Sequence, residues 1–269
     1  MDARPIGVFD SGLGGLTAVR QLTAGMPDET IVYFGDTGRV PYGSRSRDTI
    51  RRYARQDAAF LLSPDVKMVI AACGTVSSVA ADLGESLPVP FLGVLTPTAR
   101  AAAAATKTGK IGVIGTTATI RSGSYRRALA AIDPTLQVFD RDCPLFVPLV
   151  ENGRFRPGDT VIETVAREYL TPLRDTGIDT LILGCTHYPL LAEVIAGVMG
   201  SGVTLIDSGA SAARALRQAL SDKDLLAQRA SGTLTLYASD QPQDFGALAP
   251  QFLRRPLEGA VLPVDIERY

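Results

Sequence analysis

Short runs rich in Val, Ile and Leu alternate with longer segments of helical periodicity through almost all of the 269-residue chain. This alternation is typical of βαβ units, in which helices join parallel strands and cover the faces of the sheet. Strands are predicted at residues 6–9, 30–34, 66–72, 91–94, 111–114, 136–139, 180–183, 203–206 and 234–237. Helices are predicted at residues 15–24, 47–62, 77–83, 97–106, 121–131, 159–174, 189–198, 210–220 and 243–253. The sequence therefore predicts an α/β fold with mainly parallel sheets.

Reactive or glycine-rich segments follow many of the predicted strands. These segments are 10–12 (Asp-Ser-Gly), 35–37 (Gly-Asp-Thr), 73–75 (Cys-Gly-Thr), 115–117 (Gly-Thr-Thr), 184–187 (Gly-Cys-Thr-His) and 207–209 (Asp-Ser-Gly). Because ligands of open α/β sheets bind outside the carboxyl ends of the strands, we expect these loops to form the functional site.

Composition excludes several classes of partner and location. The net charge of −1 and the pI near 5.9 leave no basic surface for nucleic acid or an anionic membrane. The longest candidate apolar run, 101–105, is far shorter than the roughly 18 residues that a membrane span requires. The first residues run directly into a strand without a signal-peptide pattern, so we expect a cytoplasmic protein.

Two of the three cysteines share one sequence context. Cys73 and Cys185 each end a predicted strand and precede a predicted helix, whose N-terminal dipole favours a thiolate. Thr75 and Thr186 stand close by as hydrogen-bond partners. Either cysteine alone is more often a small buried hydrophobe, but the pair favours a functional interpretation. Cys143 lacks this context and is interpreted as structural.

The cysteine spacing also limits redox and metal chemistry. Three widely separated cysteines are typical of free thiols rather than of a disulfide framework. With one histidine and no C-x-x-C pair, the chain is expected to bind no metal.

Two further residues are candidates for proton transfer. His187, the only histidine, lies two residues after Cys185, where an imidazole can set the protonation state of the thiol. A buried core histidine is the alternative. Glu151 follows the apolar run 144–150 and begins a Glu-Asn-Gly turn, which places its carboxylate at the end of an element. Taken alone, it is an ordinary solvated glutamate.

Two loops are candidates for binding a small molecule. The turn that begins with Asp10 and Ser11 offers backbone N–H groups beside a carboxylate, although the local sequence alone favours a simple helix cap by one of these residues. It does not match a dinucleotide loop, since Thr17 replaces the third glycine. Tyr42 and Gly43 end a second loop and could offer a ring face and a backbone N–H, or form a surface loop with a packed tyrosine.

Taken together, segments 9–16, 35–37, 41–43, 72–75, 111–116 and 184–189 resemble the motifs of the bacterial glutamate racemases, in the order of that family. The resemblance covers residues 5–209. It implies two facing α/β domains, 1–97 with 207–269 and 98–206, and an active site in the cleft between them. It also implies interconversion of L- and D-glutamate without a cofactor, a supply of D-glutamate for peptidoglycan, and a homodimer.

The resemblance further implies roles for individual residues. Cys73 and Cys185 would be the two acid/base residues, assisted by Asp10, His187 and Glu151. The residues expected to bind substrate are Asp10, Ser11, Tyr42, Gly43, Gly74, Thr75, Thr186 and His187. The four lysines, Lys67, Lys107, Lys110 and Lys223, occur in polar or helix-edge contexts, so no Schiff-base lysine and no cofactor are expected.

One position departs from the family pattern. Gly74 stands where the family usually has asparagine, so a side-chain amide that could bind the amino acid is missing. This departure leaves open a related two-cysteine racemase for aspartate or another amino acid. An amino-acid-binding protein that has lost turnover is a further alternative, against which the presence of both thiols argues.

Overall fold

The computed structural model describes residues 2–228 and 231–269. The strands are β1 Ile6–Asp10, β2 Ile31–Gly35, β3 Met68–Ala71, β4 Phe91–Gly93, β5 Lys110–Gly115, β6 Gln137–Asp142, β7 Thr180–Leu183, β8 Thr204–Asp207, β9 Leu234–Ala238 and β10 Leu262–Pro263. The helices are α1 Leu16–Gly25, α2 Arg47–Leu62, α3 Gly74–Val79, α4 Leu95–Ala105, α5 Thr117–Ser122, α6 Ser124–Ile132, α7 Phe146–Glu151, α8 Thr160–Arg174, α9 Ala192–Met199, α10 Ser208–Asp222 and α11 Pro242–Leu253. Short 3₁₀ helices occur at Thr37–Arg39, Tyr42–Ser44, Ala81–Ser86, Tyr188–Leu191 and Ile266–Arg268.

The strands form two parallel sheets. The first sheet has the order β10-β9-β2-β1-β3-β4, and the second has the order β6-β5-β7-β8. In the first sheet β1 lies between β2 and β3, and in the second β5 lies between β6 and β7. After β1 the chain adds the next strand on one side and the following strand on the other, and it does the same after β5. An α/β sheet opens a crevice for ligands at such a point.

All nine predicted strands are present, which confirms the predicted α/β class with mainly parallel sheets. The short strand β10 was not predicted. Strands from residues 6–93 and 234–263 build the first sheet, and strands from residues 110–207 build the second. The predicted division into domains at 97/98 and 206/207 stays a prediction.

Several predicted helices differ in detail from the observed ones. The helix predicted at 121–131 is two helices, because Gly123 adopts a left-handed φ of 63° that ends α5. The helix predicted at 77–83 begins earlier, directly after Cys73, and continues as a 3₁₀ helix. A 3₁₀ turn precedes α9, which begins three residues later than predicted. Helix α7 was not predicted, although Glu151 does end an element, as its turn signal indicates.

One of the three apolar clusters among the described residues spans both halves of the molecule. Buried side chains on β1 and α1 belong to the same cluster as buried side chains on β7 and α8. Helix α10 follows the last strand of the second sheet and packs against α1 of the first. A Cβ added to Gly209 would lie 2.8 Å from Cα of Ala18, so the two helices approach more closely than a side chain would permit. This packing fixes the first sheet relative to the second.

Lys67 differs from its sequence interpretation. Its side chain is fully buried and its Nζ lies 2.7 Å from Oε2 of Glu29, instead of lying in a helix-edge context. The same ammonium donates to the carbonyls of Asp2 and Leu225. This buried ion pair ties the start of β3 to the loop before β2 and lies outside the cavity described below. Among the described residues, no helix is long and apolar enough to cross a membrane.

Candidate active site

A cavity of about 360 Å³ opens between the carboxyl ends of the two sheets. Its lining consists of Ser11, Gly12, Val40, Pro41, Tyr42, Gly43, Ser44, Cys73, Gly74, Thr75, Thr116, Thr117, Pro144, Val147, Pro148, Glu151, Cys185, Thr186 and His187. Every residue expected to act on or bind a substrate is in this set except Asp10, which lies buried beneath Ser11. One cavity therefore collects loops that follow β1, β3, β5 and β7.

The first sheet contributes Cys73, which follows β3 and caps α3. Its sulfur lies 3.8 Å from Oγ of Ser11. Asp10, at the end of β1, accepts hydrogen bonds at Oδ2 from the backbone N–H of Gly12 at 3.1 Å and of Gly15 at 3.0 Å. Its Oδ1 has no hydrogen-bond partner among the described residues. Asp10 thus fixes the turn after β1 and keeps one carboxylate oxygen unpaired.

Burial governs the protonation of this half of the site. Desolvation raises the pKa of Cys73, and the nearby charge of Asp10 raises it further, so Cys73 rests as a neutral thiol. Desolvation also raises the pKa of Asp10, although the positive charge of His187 opposes that shift. The backbone N–H of Val76 at the start of α3 lowers the pKa of Cys73, as expected for a helix N-terminus, but the loss of solvation outweighs it.

The second sheet contributes Cys185, which is separated from the end of β7 by Gly184. Its sulfur lies 3.8 Å from Nδ1 of His187, and Nε2 of His187 lies 3.0 Å from Oε1 of Glu151. Burial alone lowers the pKa of His187, but hydrogen bonds to Cys185 and Glu151 outweigh burial and raise the pKa to about 10. The raised pKa favours the cationic form of His187 at neutral pH, and its ring lies between the sulfur of Cys185 and the carboxylate of Glu151.

Glycines allow the loops of the two sheets to meet. A Cβ on Gly14 would overlap Oγ1 of Thr186 and lie 2.5 Å from Nδ1 of His187. A Cβ on Gly74 would overlap the carbonyl oxygen of Gly184 and lie 3.1 Å from its carbonyl carbon. Since real Cβ atoms do not approach so closely, side chains at these two positions would push the Cys185 loop away from the loops that follow β1 and β3.

The departure at Gly74 therefore has a steric explanation. The family's asparagine would place its Cβ against the Gly184 carbonyl, which is backbone and cannot turn aside. Nearby, Oγ1 of Thr17 donates to the carbonyl of Thr186 at 2.8 Å and joins α1 to the second cysteine loop. In this chain, Gly74 permits close backbone contact between the two halves.

Tyr42 lines the cavity with its ring, while its hydroxyl points away from the cavity. The hydroxyl donates to Oδ2 of Asp36 and lies 3.0 Å from Oδ2 of Asp57. Arg39 lies between the same two buried carboxylates, with Nε 2.6 Å from Asp36 and Nη2 3.0 Å from Asp57. This network holds the loop that carries Gly43 in place. The Tyr42 hydroxyl therefore has a structural role.

Sequence reasoning missed several of the lining residues. Thr116 follows β5, and its hydroxyl lies 2.9 Å from the hydroxyl of Thr75. Val147 and Pro148 belong to the unpredicted helix α7, and their apolar side chains form one wall. The Gly-Thr-Thr segment after β5 was the available signal for Thr116, whereas nothing local marked α7.

Other candidates lie outside the cavity. Cys143 is buried, its sulfur lies 3.8 Å from the carbonyl of Arg141, and it is not part of the lining. Across residues 2–228 and 231–269, no group of three or more His, Cys, Asp or Glu side chains is arranged to hold a metal ion.

The fold and this cavity define an α/β protein that presents one thiol from each of two parallel sheets to a shared site. The family model described as Asp/Glu/Hydantoin racemase matches residues 15–216. The chain therefore belongs to the Asp/Glu/hydantoin racemase family, whose members are isomerases.

Three known proteins illustrate this membership. A glutamate racemase from Geobacter metallireducens is 44% identical over 269 residues, with 99% of this chain and 98% of the relative covered. One from Chlorobaculum tepidum is 46% identical over 266 residues, with 98% and 95% covered. The crystal structure of glutamate racemase from Francisella tularensis in complex with D-glutamate superposes with a TM-score of 0.92 at 38% identity and covers 100% of both chains.

Proposed function

We propose that this protein interconverts L- and D-glutamate by removing the α-proton from one face of the amino acid and returning a proton to the other. The observation that carries the proposal is that Cys73 and Cys185 reach one cavity from two different sheets. Relatives named glutamate racemase align with almost the whole chain, and the similar Francisella structure holds D-glutamate.

Two thiols suit this reaction because neither the substrate nor a single base has to turn over. One cysteine, as thiolate, takes the proton from Cα, and the other, as thiol, donates its proton to the opposite face. The two sulfurs exchange protonation states in each turnover, and no other atom is gained or lost. An ordinary cysteine pKa of about 8.5 makes both states accessible near neutral pH.

The two halves of the site differ in their resting charge. Cys73 rests as a thiol, because burial and the charge of Asp10 raise its pKa. The cationic imidazole of His187, 3.8 Å from the Cys185 sulfur, stabilises negative charge on that sulfur. The family resemblance implies that Cys185 removes the proton of L-glutamate and Cys73 that of D-glutamate, and we propose the same assignment here. Asp10, His187 and Glu151 assist as charged neighbours of the two thiols.

The site must stabilise a carbanion-like state without a cofactor. Backbone N–H groups of Ser11, Gly43, Thr75 and Thr186 belong to loops that line the cavity and are the groups proposed to bind the α-carboxylate. Hydrogen bonds to that carboxylate gain strength as charge develops at Cα, because the surrounding cavity is poorly solvated.

Solvent deuterium exchange tests the proposal. Wild-type protein incubated with L-glutamate in D₂O is expected to yield both enantiomers with deuterium at Cα, read by proton NMR and chiral chromatography. Cys73→Ala and Cys185→Ala are each expected to lose racemisation by about 10²–10⁴-fold, the usual contribution of a general acid or base. Cys143→Ala is the matched control and should retain activity, because Cys143 is outside the cavity.

Near-normal racemisation by either single variant would overturn the two-thiol mechanism. The same assay with aspartate and other amino acids tests the substrate, and faster exchange at aspartate than at glutamate would overturn the choice of glutamate. No exchange at any amino acid would favour a binding protein.

We further propose a location, a biological role, an oligomeric state and a domain division for this enzyme. The protein acts in the cytoplasm and supplies D-glutamate for peptidoglycan, and it forms a homodimer. Its domains are residues 1–97 with 207–269, and 98–206. Light scattering during size-exclusion chromatography tests the dimer, because a mass near the 28.4 kDa of one chain would exclude it.

A further inference from the structure

A second cavity, of about 370 Å³, lies beside the substrate cavity at the outer rim of the cleft. The two cavities share Gly43, Ser44 and Thr117 as common walls. The second cavity is lined by four arginines, Arg45, Arg47, Arg121 and Arg127. We call it the rim cavity.

The arginines of the rim cavity come from both halves of the molecule. Arg45 lies just before α2, and Arg47 is the first residue of that helix, beside the first sheet. Arg121 belongs to α5 and Arg127 to α6, both in the second half. A ligand held by all four would therefore join the two sides of the cleft. It would also lie against Gly43, whose backbone N–H is proposed to bind substrate.

The positive charges in the rim cavity are not neutralised by the protein. Its lining contains no Asp or Glu. Within the described ranges, Arg45, Arg47 and Arg121 form no ion pair, and Arg127 donates to uncharged oxygens of Ser122 and Ser124.

Carboxylates do occur nearby, on the elements that carry these arginines. Asp82 feels the charge of Arg47, but it is paired with Arg51 and is not part of the lining. Asp48, in the first turn of α2, is likewise not part of the lining. The cavity thus holds a surplus of positive charge that favours an anion.

An independent feature points to a ligand in the same place. Ser78 lines the rim cavity, is only 6% exposed, and its Oγ has no hydrogen-bond partner among the described residues. A buried hydroxyl without a partner is unfavourable, so such groups usually meet a ligand or ordered water. The backbone carbonyl of Ser78 accepts a hydrogen bond from Ser124 at 2.6 Å, which fixes α3 against α6 beside the cavity.

We propose that the rim cavity binds a small anion of at least two negative charges, of the phosphate ester or diphosphate class. Guanidinium groups bind phosphate oxygens in pairs, and serine hydroxyls complete such sites. The start of the 16-residue helix α2 adds a favourable dipole. Glutamate, with a net charge of −1, complements four arginines less well than a diphosphate does.

Occupancy of the rim cavity affects the neighbouring substrate cavity. A bound anion links the segment that contains Arg45 and Arg47 to helices α5 and α6, and so restrains opening of the cleft. Because Gly43, Ser44 and Thr117 are walls of both cavities, the anion also narrows the route to the substrate cavity. We therefore expect pyrophosphate to lower kcat/KM for glutamate.

Isothermal titration calorimetry with pyrophosphate tests the site on the intact protein. Wild type is expected to bind one pyrophosphate per chain, with affinity that falls as salt rises. Arg45→Gln and Arg121→Gln, one from each half, should each weaken binding by about tenfold, which corresponds to the loss of a charge-assisted contact. Arg217→Gln, on the exposed face of α10, is the matched control and should bind like wild type.

Binding is measured as heat and not as turnover, so its outcome is independent of the racemase proposal. Absence of pyrophosphate binding, or equal binding by wild type and both cavity variants, would overturn the inference. Displacement of pyrophosphate by glutamate at equal ionic strength would also overturn it, since the rim cavity would then be part of the substrate site. Ser78→Ala, which removes the unpartnered hydroxyl, should weaken binding by about twofold to fivefold.

Discussion

Nε2 of His187 lies 3.0 Å from Oε1 of Glu151, although 36 residues separate the two along the chain. Glu151 ends helix α7, and His187 follows the loop after β7. The other imidazole nitrogen faces the sulfur of Cys185 at 3.8 Å. The second thiol is thus coupled through one imidazole to a carboxylate at the edge of the cavity.

Glu151→Gln is expected to lower the pKa of His187 from about 10 toward its ordinary value of 6.5, because the carboxylate stabilises the imidazolium. His187 is the only histidine, so its imidazole signals in an NMR titration need no assignment. Glu163→Gln, which removes the partly buried carboxylate paired with Arg167, is the control and should leave the midpoint unchanged. An unshifted midpoint in Glu151→Gln would show that the carboxylate does not raise the pKa of the imidazole.

The same pair predicts a pH dependence of stability. The folded-state pKa of His187 is raised, so the stabilisation is complete below about pH 6.5 and is lost as the pH rises through about 10. The difference in free energy of unfolding between wild type and Glu151→Gln should therefore shrink across that range. Urea unfolding at a series of pH values measures it, and a difference that grows with pH would contradict the assignment.

Gly14→Ala is expected to reduce kcat/KM by about 100-fold, because its Cβ would displace the catalytic loop at Thr186 and His187 by a substantial fraction of an ångström. Gly25→Ala is the matched control. Gly25 ends α1 with nothing within 4 Å of an added Cβ, so this change should leave activity intact. Wild-type kinetics in Gly14→Ala would show that the two halves tolerate a wider separation.

Two substitutions at position 74 can distinguish the steric effect of a side chain from the effect of its amide group. Gly74→Ala introduces only the Cβ that meets the Gly184 carbonyl, and it is expected to lower kcat/KM for glutamate by about tenfold or more. Gly74→Asn has the same Cβ and adds an amide, so any activity above that of Gly74→Ala measures substrate contact by the amide. Steady-state kinetics of both variants with glutamate and aspartate decide the matter. Activity equal to wild type in Gly74→Ala would contradict the steric interpretation.

Arg39→Gln is expected to destabilise the fold by about 3–5 kcal/mol, because it leaves Asp36 and Asp57 buried without their cation. Burial and the charge of Asp36 raise the pKa of Asp57, so the loss should decrease as the pH falls and the carboxylate is protonated. Chemical denaturation at neutral and acid pH measures both effects.

Arg52→Gln provides the control for Arg39→Gln. Like Arg39, Arg52 places its guanidinium over the ring of Tyr53, in this case at 5.3 Å. Unlike Arg39, it forms no ion pair with the buried carboxylates. The double variant Arg39→Gln with Asp57→Asn should regain part of the stability. A loss in Arg39→Gln that is independent of pH would mean that packing on Tyr53, rather than charge, explains the effect.

Most of the order of elements could be predicted because the nine predicted strands contain short apolar runs and most helices have their own periodicity. The Cys73 and Cys185 loops could be predicted for the same reason, since parallel strands place their following loops at one edge. Helix α7 could not be predicted, because its apolar residues, with Pro148 among them, fit neither pattern over only 6 residues. The split at Gly123 was missed because a left-handed residue interrupts a helix without changing its periodicity.

The sequence by itself determined the α/β class, the two thiols at strand ends, and the position of His187 beside Cys185. Only the tertiary structure brought Glu151 to His187, pressed Gly74 against Gly184, and gathered four arginines at the rim of the cleft. The physical reason is that strand and helix patterns are local along the chain, whereas contacts between two sheets depend on how their helices pack, as Gly209 does against Ala18.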